Sequence, residues 1–256
     1  MIILAALDDS TAAGPVLETA QRVANLLGVR VEAVHVRGAG TGAIAAAVAD
    51  AARVPLDVRE GDVVSELRSA IHDHDAMALV IGARGGTPGA APAGHVALDV
   101  VQSFEDTIVV VPPDATDGRL RRVLVAVEGD GESAGLRRLF DRLGDRPLPE
   151  VIALHVIEPS DVPPFADSPV HEANAFEREF RIRVASGLLT DASQVRFEMR
   201  VGDAADALRD ATLELHADLV VLAWHRDLSG GHGRLVREML ARGSIPVALF
   251  ALDDPA

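Results

Sequence analysis

The sequence of 256 residues contains no cysteine, no lysine and no tyrosine, and aromatic residues make up only 3% of it. Without cysteine, the chain has no disulfide framework, no cysteine-ligated zinc and no thiol nucleophile. Without lysine, it has neither the Walker A phosphate-binding lysine nor Schiff-base chemistry. With so few aromatic side chains, the core must be built from alanine, valine, leucine and isoleucine, which suits closely packed helices and parallel strands.

Positive charge is also scarce, because the formal net charge at pH 7 is -15. A chain this acidic repels nucleic acid and anionic lipid, so we expect neither nucleic acid nor a membrane as a partner. The N-terminal apolar run ends at Asp8 after seven residues. That run is too short for a signal peptide or a membrane span, which predicts a cytoplasmic protein.

Five segments of the first half recur, in the same order, in the second half. The first two pairs are separated by 121 and 120 residues and the next two by 141, which places an insertion near 157–170. We predict two tandem domains, residues 1–115 and 119–256, joined by a Pro-, Asp- and Gly-containing linker. The paired segments are 2–9 with 123–130, 31–36 with 151–156, 58–71 with 199–212, 77–83 with 218–224, and 107–112 with 245–250.

Each half alternates short apolar runs with segments of helical periodicity. This pattern predicts an α/β fold in which each domain is Rossmann-like, with a five-stranded, mainly parallel sheet and helices on both faces. Pro15 suits a first helical position and Gly28 a helix C-terminus. Asp62 and Asp203 each precede a helical segment and are predicted to cap it.

The glycine-rich stretch VIGARGGTPGAAPAGHV, residues 80–96, follows the fourth predicted strand of the first domain. Ligands of such sheets bind outside the carboxyl ends of the strands, where the strand order reverses. If the first and fourth strands are neighbours, this stretch faces Asp8 and Asp9 across a crevice. A helix predicted from His95 to Phe104 would direct its N-terminal amides towards the same crevice, as in an anion site. The alternative is a permissive turn, because Pro88 and Pro92 donate no amide hydrogen.

These features together resemble the universal stress protein family. The resemblance rests on the first strand ending in aspartate, the His-Val at the end of the second strand, the V-x-x-G-D before a helix, and the start of the glycine loop. It covers nearly the whole chain, as two tandem domains. It implies the adenine nucleotide alpha hydrolase-like variant of the Rossmann-like fold and a regulatory role in the stress response.

Family members that bind ATP carry the motif G-x2-G-x9-G-[ST] after the fourth strand. The first domain has Gly82-x2-Gly85-x8-Gly94-His95, which is one residue short and has histidine in place of serine or threonine. The resemblance implies that the glycines and the amides of residues 94–96 contact phosphate or ribose, while Asp8 and Val36 lie near ribose and adenine. The implied nucleotide site comprises Asp8, Val36, Gly82, Gly85, Gly94, His95 and Val96.

The second domain departs further from this motif. Ala223 and Arg226 stand where the two glycines belong, and a Cβ there would block close approach of the backbone to a ligand. The resemblance therefore implies a degenerate second site, in which the arginines either attract an anion or are simply solvated and paired. Its residues are Glu128, Ala223, Arg226, Gly233 and Arg234.

Three functional hypotheses follow for the first domain. The first is a regulatory protein that binds one adenine nucleotide, ATP with Mg²⁺. The second is an interaction or scaffold module of the same fold that binds no nucleotide. The third is a weak nucleotide hydrolase, although no nucleophile is suggested by spacing and we predict no enzymatic activity. Asp8 and Asp9 are either Mg²⁺ ligands or turn and cap residues.

Other features are assigned to structure and assembly. No metal site is predicted, because the His72-x-His74 and His225/His232 sets lack a third ligand at a familiar spacing. The apolar strands 107–112 and 245–250 would be hazardous as open edges, and the resemblance implies that they pair in an intrachain pseudo-dimer. Further homo-oligomerisation stays open. The insertion at 157–170 and the amphipathic segment 175–184 are either core-facing or a lid or partner-binding arm.

Overall fold

A computed structural model of the protein describes residues 1–38, 41–83, 94–113, 115, 118–127, 149–158, 195–224, 228 and 231–251. The chain divides into two compact units. Unit 1 comprises Met1–Leu120 together with Trp224–Ala256, and unit 2 comprises Arg121–Ala223. Each unit is built around strands of the parallel type that the sequence predicts.

Unit 1 alternates strands and helices from its first residues. The strands of its first stretch are β1 (Ile2–Ala6), β2 (Arg30–Arg37), β3 (Leu56–Glu60), β4 (Ala76–Gly82) and β5 (Thr107–Val111). The helices between them are α1 (Ala13–Leu27), α2 (Ala43–Ala51), α3 (Val63–Asp73) and α4 (His95–Ser103). This succession confirms the predicted α/β class.

The sheet of unit 1 runs in the order β3-β2-β1-β4-β5, with all neighbours parallel. Right-handed crossovers on either side of β1 place α1 and α2 on one face and α3 and α4 on the other. The helix contacts agree, because α1 packs against α2 and α3 against α4. The strand order therefore reverses between β1 and β4, which is where this class of fold opens a crevice.

Helix α1 ends as predicted but begins earlier. Gly28 closes it in the left-handed region, with φ 60°, and donates to the carbonyl of Ala24. The prediction that Pro15 occupies the first helical position is wrong, because the helix starts two residues earlier, at Ala13. Pro15 still lies in the first turn, where a backbone amide has no partner within the helix, so its missing N–H costs little.

The sheet of unit 1 is completed by residues from the C-terminal end of the chain. Helix α6 (Gly231–Arg242) and strand β10 (Val247–Ala251) belong to this unit. Strand β10 pairs antiparallel with β5, and Val247 lies opposite Val110. This confirms the predicted pairing of segments 107–112 and 245–250, which removes an apolar open edge from the sheet.

Unit 2 repeats the parallel arrangement in its described part. Its strands are β6 (Arg122–Ala126), β7 (Glu150–Ile157), β8 (Val195–Val201) and β9 (Leu219–Trp224), and its helix α5 spans Ala204–Glu214. Strand β6 lies between β9 and β7, and β8 follows β7, all in parallel. The predicted insertion, beyond residue 158, and the amphipathic segment 175–184 lie outside the described residues.

The same contact holds the same pair of strands in each unit. Nδ1 of His35 lies 2.8 Å from the carbonyl oxygen of Leu7, and Nδ1 of His155 lies 2.8 Å from that of Val127. Because a carbonyl oxygen only accepts hydrogen bonds, Nδ1 carries the proton in both rings. The two contacts give both histidines a structural role.

The predicted helix caps are also present and repeated. The carboxylate of Asp62 accepts from the amide of Ser65 at 3.0 Å, and that of Asp203 accepts from Ala205 at 3.0 Å. The glycine before each cap has a positive φ, 147° at Gly61 and 148° at Gly202. The strand-to-helix turn is therefore the same at both places.

A half-buried charge network joins β2, β3 and the end of α3. Nδ1 of His74 lies 2.7 Å from Glu32, and its Nε2 lies 3.1 Å from Asp57. Arg59 bridges Asp57 at 2.7 Å and Asp73 at 2.9 Å. Hydrogen bonding to Asp57, and then to Glu32, raises the pKa of His74 against the opposing effect of burial.

This network makes stability depend on pH. A raised pKa in the folded state gives a contribution that is fully present below the unfolded pKa of about 6.5 and is lost as pH rises through the folded pKa. We expect His74→Gln to lower Tm by a few degrees near pH 6 and by less near pH 9. The exposed His72 of the same turn is the matched control, and a His72→Gln variant that shows the same pH trend would contradict this assignment.

Candidate functional site

A cavity of about 400 Å³ opens at the carboxyl ends of the central strands of unit 1. It lies where the strand order reverses between β1 and β4. Its volume falls in the range of small-molecule sites, roughly 300–1,000 Å³. Strands β1, β2 and β4 and helices α1, α3 and α4 all contribute to its walls.

Most of the wall is aliphatic. The apolar residues that line the cavity are Ala6, Leu7, Ala12, Val16, Val34, Val36, Val63, Leu67, Ile81, Ala83, Val96, Ala97 and Val100. Val34 and Val36 alternate on β2 with His35, so the two valines face the side of the sheet covered by α3 and α4. A wall of this kind suits an apolar part of a small molecule.

The cavity also has a polar edge at the turn between β1 and α1. Oδ1 of Asp8 accepts hydrogen bonds from the amide of Ser10 at 3.1 Å and from its hydroxyl at 2.5 Å. The same hydroxyl oxygen accepts from the amide of Ala12 at 3.1 Å. These bonds hold the Asp8 carboxylate at the cavity edge and order the start of α1, which has no side-chain cap of its own.

The opposite edge is the N-terminus of α4. Gly94 is extended, with φ -61° and ψ 150°, and no side chain caps the helix there. The amide of Gly94 donates to the carbonyl of Ala83 at 2.9 Å, which fixes the helix start against the end of β4. The amides of residues 95–97 have no partner within the helix, and the helix dipole gives this end a partial positive charge. Its position at the cavity suits an anionic group.

Six of the seven residues predicted for the first site line this one cavity: Asp8, Val36, Gly82, Gly94, His95 and Val96. They come from the ends of β1, β2 and β4 and from the start of α4. The seventh, Gly85, lies outside the described residues. The structure thus brings together, in one place, segments that are separated by up to about 90 positions in the chain.

Sequence reasoning missed much of the apolar wall. Val63 and Leu67 of α3, and Val100 of α4, were not among the predicted site residues although they line the cavity. The spacing of these residues could have indicated the wall, because Val63 lies four residues before Leu67 and Val96 lies four residues before Val100. Residues at i and i+4 share one helix face, so each pair indicates a stripe directed at the same space.

Asp9 is a cap residue and not a cavity residue, because its carboxylate caps the N-terminus of α2. Its carboxylate accepts from the amides of Gly42 at 2.6 Å, Ile44 at 3.1 Å and Ala45 at 3.5 Å. Burial opposes ionisation of this group, but the three backbone donors and nearby His35 outweigh it, so the pKa of Asp9 is lowered. Of the two neighbouring acids, only Asp8 is at the cavity.

Removing this cap should destabilise the protein in a pH-dependent way. A lowered pKa gives a contribution that is present above the unfolded pKa of about 3.9 and is lost as pH falls through the folded pKa. We expect Asp9→Ala to lower Tm by a few degrees at neutral pH, with a difference from wild type that shrinks below about pH 4. Asp50→Ala, at an exposed position of the same helix, should change Tm little at either pH. Equal shifts for the two variants would count against the cap.

The residues of the predicted second site lie in different elements. Ala223 is in β9, and Gly233 and Arg234 are in the first turn of α6. Nη1 of Arg234 lies 3.9 Å from a carboxylate oxygen of Glu238, one turn along the same helix. Glu128 and Arg226 lie outside the described residues.

Within the described ranges, no three or more histidine and carboxylate side chains are placed to hold a metal ion together. The helices of the same part of the chain include none with the length and apolar character needed to cross a membrane. His74, from one of the histidine pairs considered for metal, instead bridges Glu32 and Asp57.

Comparisons with solved structures show the same fold. A universal stress protein from Archaeoglobus fulgidus is 16% identical, with 97% of each chain covered and a TM-score of 0.65. A protein of unknown function from Pseudomonas aeruginosa is 15% identical and covers 98% of this chain and 92% of its own, with a TM-score of 0.70. At these identities the likeness concerns the fold alone.

Comparison by sequence shows the family. No curated protein sequence matches the chain. Residues 119–250 match the model of the universal stress protein family. Since that match spans more than half of the 256 residues, the chain belongs to the universal stress protein family.

Proposed function

We propose that this stress-response protein binds one adenine nucleotide, ATP with Mg²⁺, in the cavity of unit 1. Family membership gives the stress-response role. The observation that carries the nucleotide proposal is the convergence of Asp8, Val36, Gly82 and residues 94–96 on one cavity at the reversal of strand order.

The two ends of the cavity suit the two ends of a nucleotide. The aliphatic wall of Val34, Val36 and Leu67 would cover the base. The amides at the start of α4 would hold phosphate oxygens, as helix N-termini do in other nucleotide sites. Asp8 would accept from a ribose hydroxyl or ligate Mg²⁺, which prefers carboxylate oxygens and phosphate together.

The role we propose is binding rather than catalysis. Of the described residues that line the cavity, Asp8 and His95 alone carry ionisable side chains. The hydroxyl of Ser10, in the turn that begins at Asp8, is buried and donates to Asp8. Phosphate release measured over hours tests this directly, because sustained turnover that depends on the cavity would establish the weak hydrolase instead.

The experiment is calorimetric titration of the full-length protein with Mg-ATP, paired with thermal melting. ATP at 100 times its Kd should stabilise the protein by about 2.7 kcal/mol, which raises Tm by several degrees. We expect Gly82→Val and Gly94→Val to remove the shift, because both glycines line the cavity. Gly118→Val is the control, since an added Cβ there meets no atom within 4 Å.

The competing hypothesis is an interaction module of the same fold that binds no nucleotide. It is favoured by the loop that is one residue short and by histidine in place of serine or threonine. If millimolar Mg-ATP produces neither a heat of binding nor a Tm shift, the nucleotide proposal is wrong and this alternative remains. A shift that survives both glycine variants would place binding elsewhere.

We further propose that the chain is a tandem of two domains, residues 1–115 and 119–256; these bounds follow the repeat in the sequence, whereas compact unit 1 also includes residues 224–256. The repeated histidine-carbonyl contact and the repeated aspartate caps support this proposal. Partial loss of the glycine pattern in the second domain supports a single nucleotide per chain. The cytoplasmic location and further self-association stay predictions.

A further inference from the structure

His95 departs from the family motif at the point where phosphate is expected. It is the first residue of α4, its side chain is exposed, and it lines the cavity beside the amides of the helix start that have no partner within the helix. A serine or threonine at this position would offer a hydroxyl, which stays neutral between pH 5 and 8. An imidazole offers a group whose charge changes between pH 5 and 8.

The charges that surround His95 make its protonation matter. Asp8, in the turn after β1, is the other ionisable residue among the described residues of the cavity wall. On α4 itself, Asp99 lies one turn beyond His95, and at the start of α3 the cavity-lining Val63 is flanked by the acids Asp62 and Glu66. The described wall therefore carries no permanent cation, and the chain as a whole carries a net charge of -15.

Resting on the proposed function, we infer that His95 makes phosphate binding at this site acid-responsive. When the ring is protonated, it adds a charged donor next to the amides of residues 95–97, so a phosphate-bearing ligand is held by the helix start and the imidazolium together. When the ring is neutral, the described wall of the cavity offers the phosphate the amides but no cation. Adenosine, which carries no phosphate, is held by the apolar wall at either pH.

Binding of Mg-ATP and of adenosine to wild type, His95→Gln and His95→Arg tests this inference at about pH 6 and about pH 8.5. Because each variant is compared with wild type at the same pH, any effect of protonation of the nucleotide itself is the same for all the proteins. We expect His95→Gln to weaken ATP binding about tenfold at the lower pH and hardly at all at the higher. His95→Arg, with a permanent charge, should bind ATP equally at both, and adenosine should be insensitive to all these changes.

The outcomes separate the two proposals. ATP binding in which the wild-type to His95→Gln ratio is the same at both pH values would overturn the inference and leave the nucleotide site intact. Failure of every protein to bind ATP and adenosine at both pH values would overturn the proposed function, and the inference with it. Because His95 is exposed at a helix start, neither substitution removes core packing, and matching melting curves of the unliganded proteins verify this.

Discussion

Val36→Phe is expected to weaken Mg-ATP binding by at least about 100-fold, which corresponds to roughly 2.7 kcal/mol. Val36 is half-buried near the end of β2 and lines the cavity. The cavity volume of about 400 Å³ is near the lower limit for ligand sites. A phenyl ring at position 36 would therefore occupy the space that the base needs. The fold should tolerate the ring because it extends into the cavity rather than into packed core.

The matched control for this variant is Val58→Phe. Val58 lies on the neighbouring strand β3, is 44% exposed and does not line the cavity. Calorimetric titration should give a Kd for this control close to that of wild type. Equal affinity of the Val36→Phe protein and the wild type would show that the base does not enter this cavity.

Gly243→Ala is expected to be the most destabilising of the glycine substitutions with described surroundings. A Cβ on Gly243 would lie 2.4 Å from the carbonyl oxygen of Met239, a distance that side-chain carbons do not adopt. That oxygen belongs to the backbone and accepts the amide of Gly243 at 2.8 Å at the end of α6. Relief therefore requires the chain to shift and strain the closing turn, at a cost of about 1–3 kcal/mol.

Thermal melting should show this as a fall in Tm of several degrees. Gly14→Ala is the opposite case, because Gly14 lies within α1 and an added Cβ meets nothing within 4 Å. Alanine is the better helix former by about 1 kcal/mol, so this variant should melt slightly above wild type. A Gly243→Ala protein that melts like wild type would mean that the end of α6 is not closed in this way.

Much of the fold was predictable because its signals are local. The left-handed residue Gly28 and the caps Asp62 and Asp203 stand at the helix ends where their chemistry places them. Apolar runs covered on both faces became parallel strands, and two such runs far apart in sequence, 107–112 and 245–250, paired as predicted. At the helix ends and in the strands, the pattern within a few residues decides the structure, whereas the pairing of the two distant runs was implied by the family resemblance.

The features that were missed depend on contacts across the chain. Pro15 was misplaced because the start of α1 is set by the bonds of Ser10 to Asp8 and Ala12, not by the proline. The partners of His74 lie 42 and 17 positions away, so no local pattern indicates that its ring bridges two carboxylates. Tertiary neighbours of this kind follow only once the strand order is known.

In the candidate site too, local sequence patterns predicted some residues, while others are determined by packing between distant segments. A motif and a strand end pointed to the glycines, Asp8 and Val36, which are sequence-local signals. The apolar wall that gives the cavity its shape, including Leu67 and Val100, emerges only when α3 and α4 are packed on the same face of the sheet. A motif records which residues are present and at what spacing. The affinity of a loop that is one residue short depends on the free energy of binding, which a motif does not give.

Hydrogen exchange with and without saturating Mg-ATP tests the nucleotide site most directly. We expect slower exchange in peptides that cover residues 6–12, 81–83 and 94–100, which surround the cavity. Peptides from β6 and β7, residues 122–126 and 150–157, should exchange at unchanged rates. Protection at the cavity alone would establish that unit 1 holds the nucleotide, whereas unchanged exchange there under saturating ATP would contradict the account.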